Sequence, residues 1–206
     1  MKRESGAIIL RETILFAEKA LSLASFFALC HLRIVSSIHP QARIGHVHLK
    51  VADLDRALTF YRDVLGFTVT QRMGNSAAFL SAGGYHHHIA LNTWESLRGA
   101  APAHGTTGLY HLAILYPTRA ELADALRRLL RAGISLEGAA DHGVSHALYL
   151  RDPDNNGVEL YWDLPTEQWP RTPTGDLAMV TLPLDLHALL AEADAPETTL
   201  GPADLA

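Results

Sequence analysis

Two histidines and one glutamate stand at matching places in a chain that repeats itself. His46 lies near the start of the apolar run 44–51 (IGHVHLKV), and His111 near the start of 109–116 (LYHLAILY). Each run leads through a turn into a stretch of helical spacing, 53–64 (DLDRALTFYRDV) in the first half and 118–132 (TRAELADALRRLLRA) in the second. The second copy closes on 157–163 (GVELYWD), where Glu159 sits between Val158 and Leu160. A lone carboxylate is costly to bury in apolar surroundings, so Glu159 needs a partner. Two neutral imidazoles and one carboxylate form a ligand set that suits a divalent metal with open coordination positions. A metal with vacant positions does chemistry, whereas a closed site only holds a fold together. His48 shares strand parity with His46. In the repeat alignment, however, His48 falls opposite Ala113, and it is His46 that matches His111.

Periodicity and turn residues give the elements that must position these groups. The first module, 44–94, reads as a strand over 44–51, a helix over 54–64, and strands over 67–72, 76–82 and 86–92. Gly66, Gly74, Gly83 and Gly84 mark its turns. A looser segment, 95–107, links it to the second module, 108–163. That module reads as a strand over 109–116, a helix over 119–131, and strands over 134–138, 146–151 and 157–162. Gly133 ends its helix, and DPDNNG over 152–157 is a strong turn. The fold class is therefore α+β, a βαβββ unit occurring twice. Leu54, Ala57, Leu58 and Tyr61 share one face of the first helix and read as core. Gly83-Gly84 lacks the following helix and lysine of a phosphate-binding loop. The extension 1–43 holds an apolar stretch, 8–35, interrupted by Arg11, Glu12, Glu18 and Lys19, and the apolar part is too short for a membrane span. It is expected to form an amphipathic helix or a loosely attached leader. The tail 164–206 is expected to carry a short helix near 184–193 and to end in disorder.

Composition narrows the function. The chain has 206 residues, 48% of them hydrophobic, enough for one domain with a sizeable core. Its net charge is -5 and no run of Lys or Arg occurs, which sets nucleic-acid binding aside. One cysteine, Cys30, permits no internal disulfide and fits a reducing cytoplasm.

The paired modules, with a histidine opening each and a glutamate closing the second, resemble the vicinal oxygen chelate superfamily of glyoxalases, bleomycin-resistance proteins and extradiol dioxygenases. The resemblance covers about residues 44–163 and is most specific in GHVHLKVADLDRALTFYRDVLGF and LYLRDPDNNGVELYWD. It implies that the modules pair into a half-open β-barrel around a metal held by His46, His111 and Glu159. Within the superfamily the extradiol ring-cleaving dioxygenases are the most similar. His86, His87 and His88 alternate faces, and periodicity does not choose among them. The resemblance of HHHIA to the family's strand assigns the acid–base role to His87. It also implies that His142 and Tyr149 hydrogen-bond the substrate oxygens, with His146 a rival to His142. Many members carry four modules, whereas this chain has two.

The resemblance implies iron(II), with manganese(II) next, a catechol-like aromatic and dioxygen as substrates, and a homodimer. A glyoxalase I-like isomerase is the second expectation. It would add a glutamate late in the first module, where this chain has histidines and then Glu95. A non-enzymatic binding protein is the third, and the metal triad counts against it.

Overall fold

The computed structural model describes residues 37–193. Residues 37–43 belong to a separate unit, Met1–Arg43, and contain one turn in which Ala42 N–H donates to the His39 carbonyl (2.8 Å). The expected N-terminal helix and the disordered end of the tail lie outside the described residues.

Each module of the unit Ile44–Ala206 builds its own sheet, and the two share one topology. The first contains β1 (Val47–Lys50), α1 (Leu54–Leu58), β2 (Thr68–Met73), β3 (Ala77–Ser81) and β4 (Ile89–Asn92). The second contains β5 (Leu112–Leu115), α2 (Arg119–Arg131), β6 (Gly138–Asp141), β7 (Ser145–Arg151) and β8 (Gly157–Asp163). Sheet order is β1-β4-β3-β2 in one and β5-β8-β7-β6 in the other, where the two-residue β9 (Leu182–Pro183) adds an edge. In both, the first strand runs parallel to the last and all other neighbours are antiparallel. The two mixed sheets, of four and five strands, do not close into a barrel, and β1 and β5 are both outer strands.

The helices follow from their caps and apolar faces. The Asp53 side chain accepts from Arg56 N–H (3.0 Å), and Leu54, Ala57 and Leu58 turn inward. The expected single helix over 54–64 changes pitch at Thr59–Val64, which is a π-helix. There two adjacent aromatics, Phe60 and Tyr61, are both buried, their rings 4.9 Å apart and edge to face. A wider turn gives both room on the inner side, as single π turns do. Thr118 caps α2 through Glu121 N–H (3.1 Å), and Leu122, Ala125, Leu126 and Leu129 form its buried stripe. Gly133, at φ 68°, ends the helix in the left-handed conformation that glycine adopts freely. The strand expected over 134–138 does not form. Ile134 and Leu136 pack on the core instead, and pairing with β7 starts at Gly138. The strand expected over 86–92 is confined to Ile89–Asn92, since the bend after Gly83-Gly84 extends through His88. The tail's short helix is α3 (Leu186–Glu192), close to the expected 184–193. No helix among the described residues is long and apolar enough to cross a membrane.

One continuous core joins the modules. Leu58, Tyr61, Leu80 and Leu91 from the first belong to the same cluster as Leu126, Leu148, Leu160 and Leu189. Polar ties reinforce it at the 152–157 turn. Tyr61 O–H donates to Asp152 Oδ2 (2.9 Å), and Ala52 N–H and Arg56 Nη2 donate to Asp154 Oδ1 (2.9 and 2.6 Å). Asp152 also accepts from the Asp154 and Asn156 amides and from Asn156 Nδ2, so its buried carboxylate is fully engaged. Trp162 lies half-buried against the core.

His146 of β7 links α2 to β6. Arg119 Nε donates to its Nδ1 (3.0 Å), its Nε2 stands 3.7 Å from Asp141 Oδ2, and its ring lies 5.5 Å from that of Trp162. Arg119 also pairs with Glu192 of α3. Burial lowers the His146 pKa below its ordinary 6.5, Asp141 opposes this, and Arg119 adds to it. A lowered folded value means that the neutral ring stabilises the fold fully above about pH 6.5 and less as pH falls through the folded value. The melting temperature should therefore drop as pH is lowered from 6.5, and His146→Gln, which keeps an acceptor for Arg119, should flatten that drop. Thermal melts of both proteins between pH 7 and 5 check this; parallel curves would reject it.

Candidate metal and substrate site

Strand register brings three of the expected residues into one row. Ala113 of β5 and Tyr149 of β7 both pair with Glu159 of β8, so their side chains share one face. His111 precedes Ala113 by two residues and falls on that face as well. The side chains meet accordingly. His111 Nε2 stands 2.8 Å from Glu159 Oε2, and Tyr149 O–H donates to Glu159 Oε1 (2.9 Å). His142, in the loop after β6, reaches back so that its Nε2 is 2.7 Å from the Tyr149 oxygen. The Tyr149 proton is committed to Glu159, so His142 Nε2–H is the donor in that contact. His142 Nδ1 faces the Val180 carbonyl at 2.9 Å, which can only accept. The Thr181 hydroxyl also faces His142 Nδ1, at 3.3 Å. Burial first, then the Glu159 hydrogen bond, raise the Tyr149 pKa well above the usual phenol value, which keeps the hydroxyl a donor.

The other expected residues gather on the first sheet. His46 immediately precedes β1, and its ring centroid lies 4.4 Å from that of His87. His87 packs edge-on against Phe79 at 5.1 Å, and its Nδ1 is 2.7 Å from that of His86. Desolvation lowers the His87 pKa, and the neighbouring His46, His86, His48 and His88 lower it further. His87 is therefore neutral and able to accept a proton at neutral pH. His48 is held by Asn92, Nε2 to Nδ2 at 2.9 Å, and by the Trp94 ring, while His88 Nδ1 lies 3.2 Å from Ser81 Oγ.

His46 and His111 line one cavity of about 700 Å³ between the two outer strands. Among the described residues no three His, Cys, Asp or Glu side chains gather closely enough to hold an ion. Two of the three expected ligands do fit one. Ligands about 2.1 Å from a cation and at right angles to each other stand about 3 Å apart, close to the 2.8 Å between His111 Nε2 and Glu159 Oε2. His111 Nδ1 is buried with no hydrogen-bond partner among the described residues.

Gly157 belongs to this site although its spacing gave it no role beyond ending the turn. A Cβ there would stand 2.0 Å from the Tyr110 carbonyl oxygen and 3.0 Å from His111 Cα and Cβ. Only the missing side chain lets β5 approach β8 closely enough for His111 to meet Glu159. The available signal was a glycine two residues before the glutamate on the same strand face.

A sheet pair of this topology, with imidazole and carboxylate donors on its strands, is the architecture of the vicinal oxygen chelate class. Residues 43–160, more than half of the chain, match the Glyoxalase/Bleomycin resistance protein/Dioxygenase superfamily. The chain belongs to that superfamily. It is 42% identical over 170 residues to a catechol-2,3-dioxygenase of Bacillus subtilis (strain 168), covering 82% of this chain and 59% of that protein. It is 37% identical over 123 residues to biphenyl-2,3-diol 1,2-dioxygenase 3 of Rhodococcus globerulus, covering 59% of this chain and 63% of that protein. The chain thus spans less than two thirds of the length of these two relatives. The crystal structure of a glyoxylase/bleomycin resistance protein/dioxygenase domain from Frankia sp. EAN1pec superposes with a TM-score of 0.50 at 26% identity, covering 60% of this chain and 98% of that one.

Gly157→Ala should push β5 from β8 and separate His111 from Glu159. The expected cost is about 1–3 kcal/mol of stability, as for other overpacked sites, together with weaker binding of divalent metal. Thermal melts and equilibrium dialysis against Fe(II) or Mn(II) measure the two effects, and unchanged values in both would remove Gly157 from the site.

Proposed function

We propose that the protein is a metal-dependent extradiol-type dioxygenase that cleaves the ring of a catechol-like aromatic, with dioxygen as co-substrate. The observation that carries this reading is the unbroken chain His142–Tyr149–Glu159–His111 across one sheet face. It places a protonated phenol and an imidazole beside the carboxylate expected to hold the metal. His46, His111 and Glu159 are the proposed ligands, with iron(II) favoured over manganese(II). Bound there, the metal would supply a binding point for two vicinal oxygens and the redox chemistry of dioxygen activation.

The chain's own residues do the rest. Tyr149, kept protonated, holds Glu159 in place and presents its oxygen to His142. His142 would exchange that contact for a substrate oxygen bound beside Tyr149, turning its Nε2–H toward it. His87, kept neutral by desolvation and its imidazole neighbours, is suited to take a proton from a catechol hydroxyl. Phe79, packed against His87 and 6.3 Å from His48, offers an apolar ring beside that base.

The glyoxalase I-like reading is less well supported. β4 carries no carboxylate, and Glu95, the nearest candidate, is an exposed side chain 3.6 Å from Lys50.

Anaerobic loading with Fe(II) followed by oxygen uptake on a small panel of catechols tests the proposal. Uptake coupled to ring opening is expected; full metal occupancy without uptake would overturn it. His87→Phe should retain its metal and lose about 10²-fold or more in turnover, the scale of general acid–base catalysis. Unchanged turnover would remove His87 from the mechanism.

A further inference from the structure

Resting on the dioxygenase reading, we infer that Arg151 selects catechols that carry a carboxylate, by binding the acid group at the end of the site remote from the ring oxygens. Arg151 pairs with Gly157 across β7 and β8 and follows Tyr149 by two residues, so it lies on the same sheet face as Tyr149 and Glu159. The facing residue is a glycine, and the space over it is taken by the Tyr110–His111 backbone, which brings His111 close to the Arg151 end of the strand pair. Two residues along a strand span about 7 Å, roughly the distance from the paired oxygens of a catechol to a carboxylate across its ring.

Two cavities support the placement. One of about 210 Å³ is lined by His111, Tyr149 and Gly157 together with Tyr110, Glu137 and Arg151. A larger one of about 610 Å³ shares Tyr110, Glu137 and Arg151 and opens beneath the loop 102–109. Arg151 therefore stands where an outer chamber meets the one that contains the metal-ligand histidine. Among the described residues lining these cavities it is the lone arginine or lysine. In a chain of net charge -5, an anionic substrate needs such a local cation to enter.

The guanidinium is oriented and only partly used. Its Nε donates to Glu137 Oε2 (2.8 Å), its Nη1 reaches the Asn155 carbonyl at a long 3.4 Å, and its Nη2 makes no hydrogen bond within the described residues. Glu137 thus occupies the Nε edge and leaves the Nη1–Nη2 edge for a second carboxylate. A planar arginine fork binds carboxylates through two parallel bonds, which a lysine ammonium does not reproduce. The existing pair is an unconvincing structural reason for Arg151, since its side chains are 34% and 52% exposed and ion pairs so well hydrated contribute little stability.

The test compares 3,4-dihydroxybenzoate with unsubstituted catechol on the Fe(II)-loaded protein. Dissociation constants are measured anaerobically, and kcat/KM with dioxygen present. The wild type should prefer the carboxylated compound in both. Arg151→Met should reduce that preference about tenfold or more, as expected for loss of a hydrogen bond to a charged group. Arg151→Lys, which keeps the charge and its Glu137 partner, should retain part of it. Circular dichroism melts establish that both variants are folded. A wild type that oxidises catechol without preferring the acid would overturn the inference and leave the dioxygenase reading standing. So would a preference that survives in both variants. A wild type that binds and oxidises neither compound would defeat both readings.

Discussion

Glu159 is a carboxylate set into the middle of a sheet, between two residues that are fully buried, and it persists there because it is gripped from two sides. His111 approaches one oxygen from the parallel neighbour β5 and Tyr149 donates to the other from the antiparallel neighbour β7. Without those contacts the group would lose hydration with nothing in return. Both contacts need close strand approach in exact register. On one side the register is set by Gly157, whose lack of a side chain admits the Tyr110–His111 backbone. On the other it is set by the ladder from Ser145 to Arg151. The arrangement of the second module follows from accommodating this one charge.

The same requirement explains the division of labour between the sheets. The second carries hydrogen-bond donors around a carboxylate. The first carries a crowd of imidazoles, His46, His48, His86, His87 and His88, which lower one another's affinity for protons where a shift is resolved. One sheet therefore brings a carboxylate and a phenol to the site and the other a cluster of imidazoles. A substrate that must lose protons from its hydroxyls while its oxygens are held suits such a pairing.

Much of this was legible in the chain. The repeated His-strand-helix pattern gave the order of elements in both modules, while the common face of His111, Glu159 and Tyr149 came only with the strand register. Local rules failed where two preferences competed. The helix over 54–64 widened because Phe60 and Tyr61 both needed burial, which no 3.6-residue pattern anticipates. The strand expected at 134–138 was lost to packing of Ile134 and Leu136. The strand before Ile89 was shortened by the bend that holds His86–His88. What the sequence could not supply was the separation of the two sheets. Periodicity orients a side chain on its own strand but carries no information about the distance from β1 to β5, across which His46 and His111 line one cavity.

The two copies are also less alike than their topology. Tyr61, Arg56 and the Ala52 amide of the first all donate, and Asp152 and Asp154 of the second all accept. At this turn the first copy supplies the donors and the second the acceptors, and at the far end the direction reverses, with Arg128 Nη1 of the second donating to the Leu65 carbonyl of the first (3.3 Å). Each half therefore presents to the other a set of groups that its own copy does not carry, and the pairing of unlike halves is what satisfies the buried Asp152.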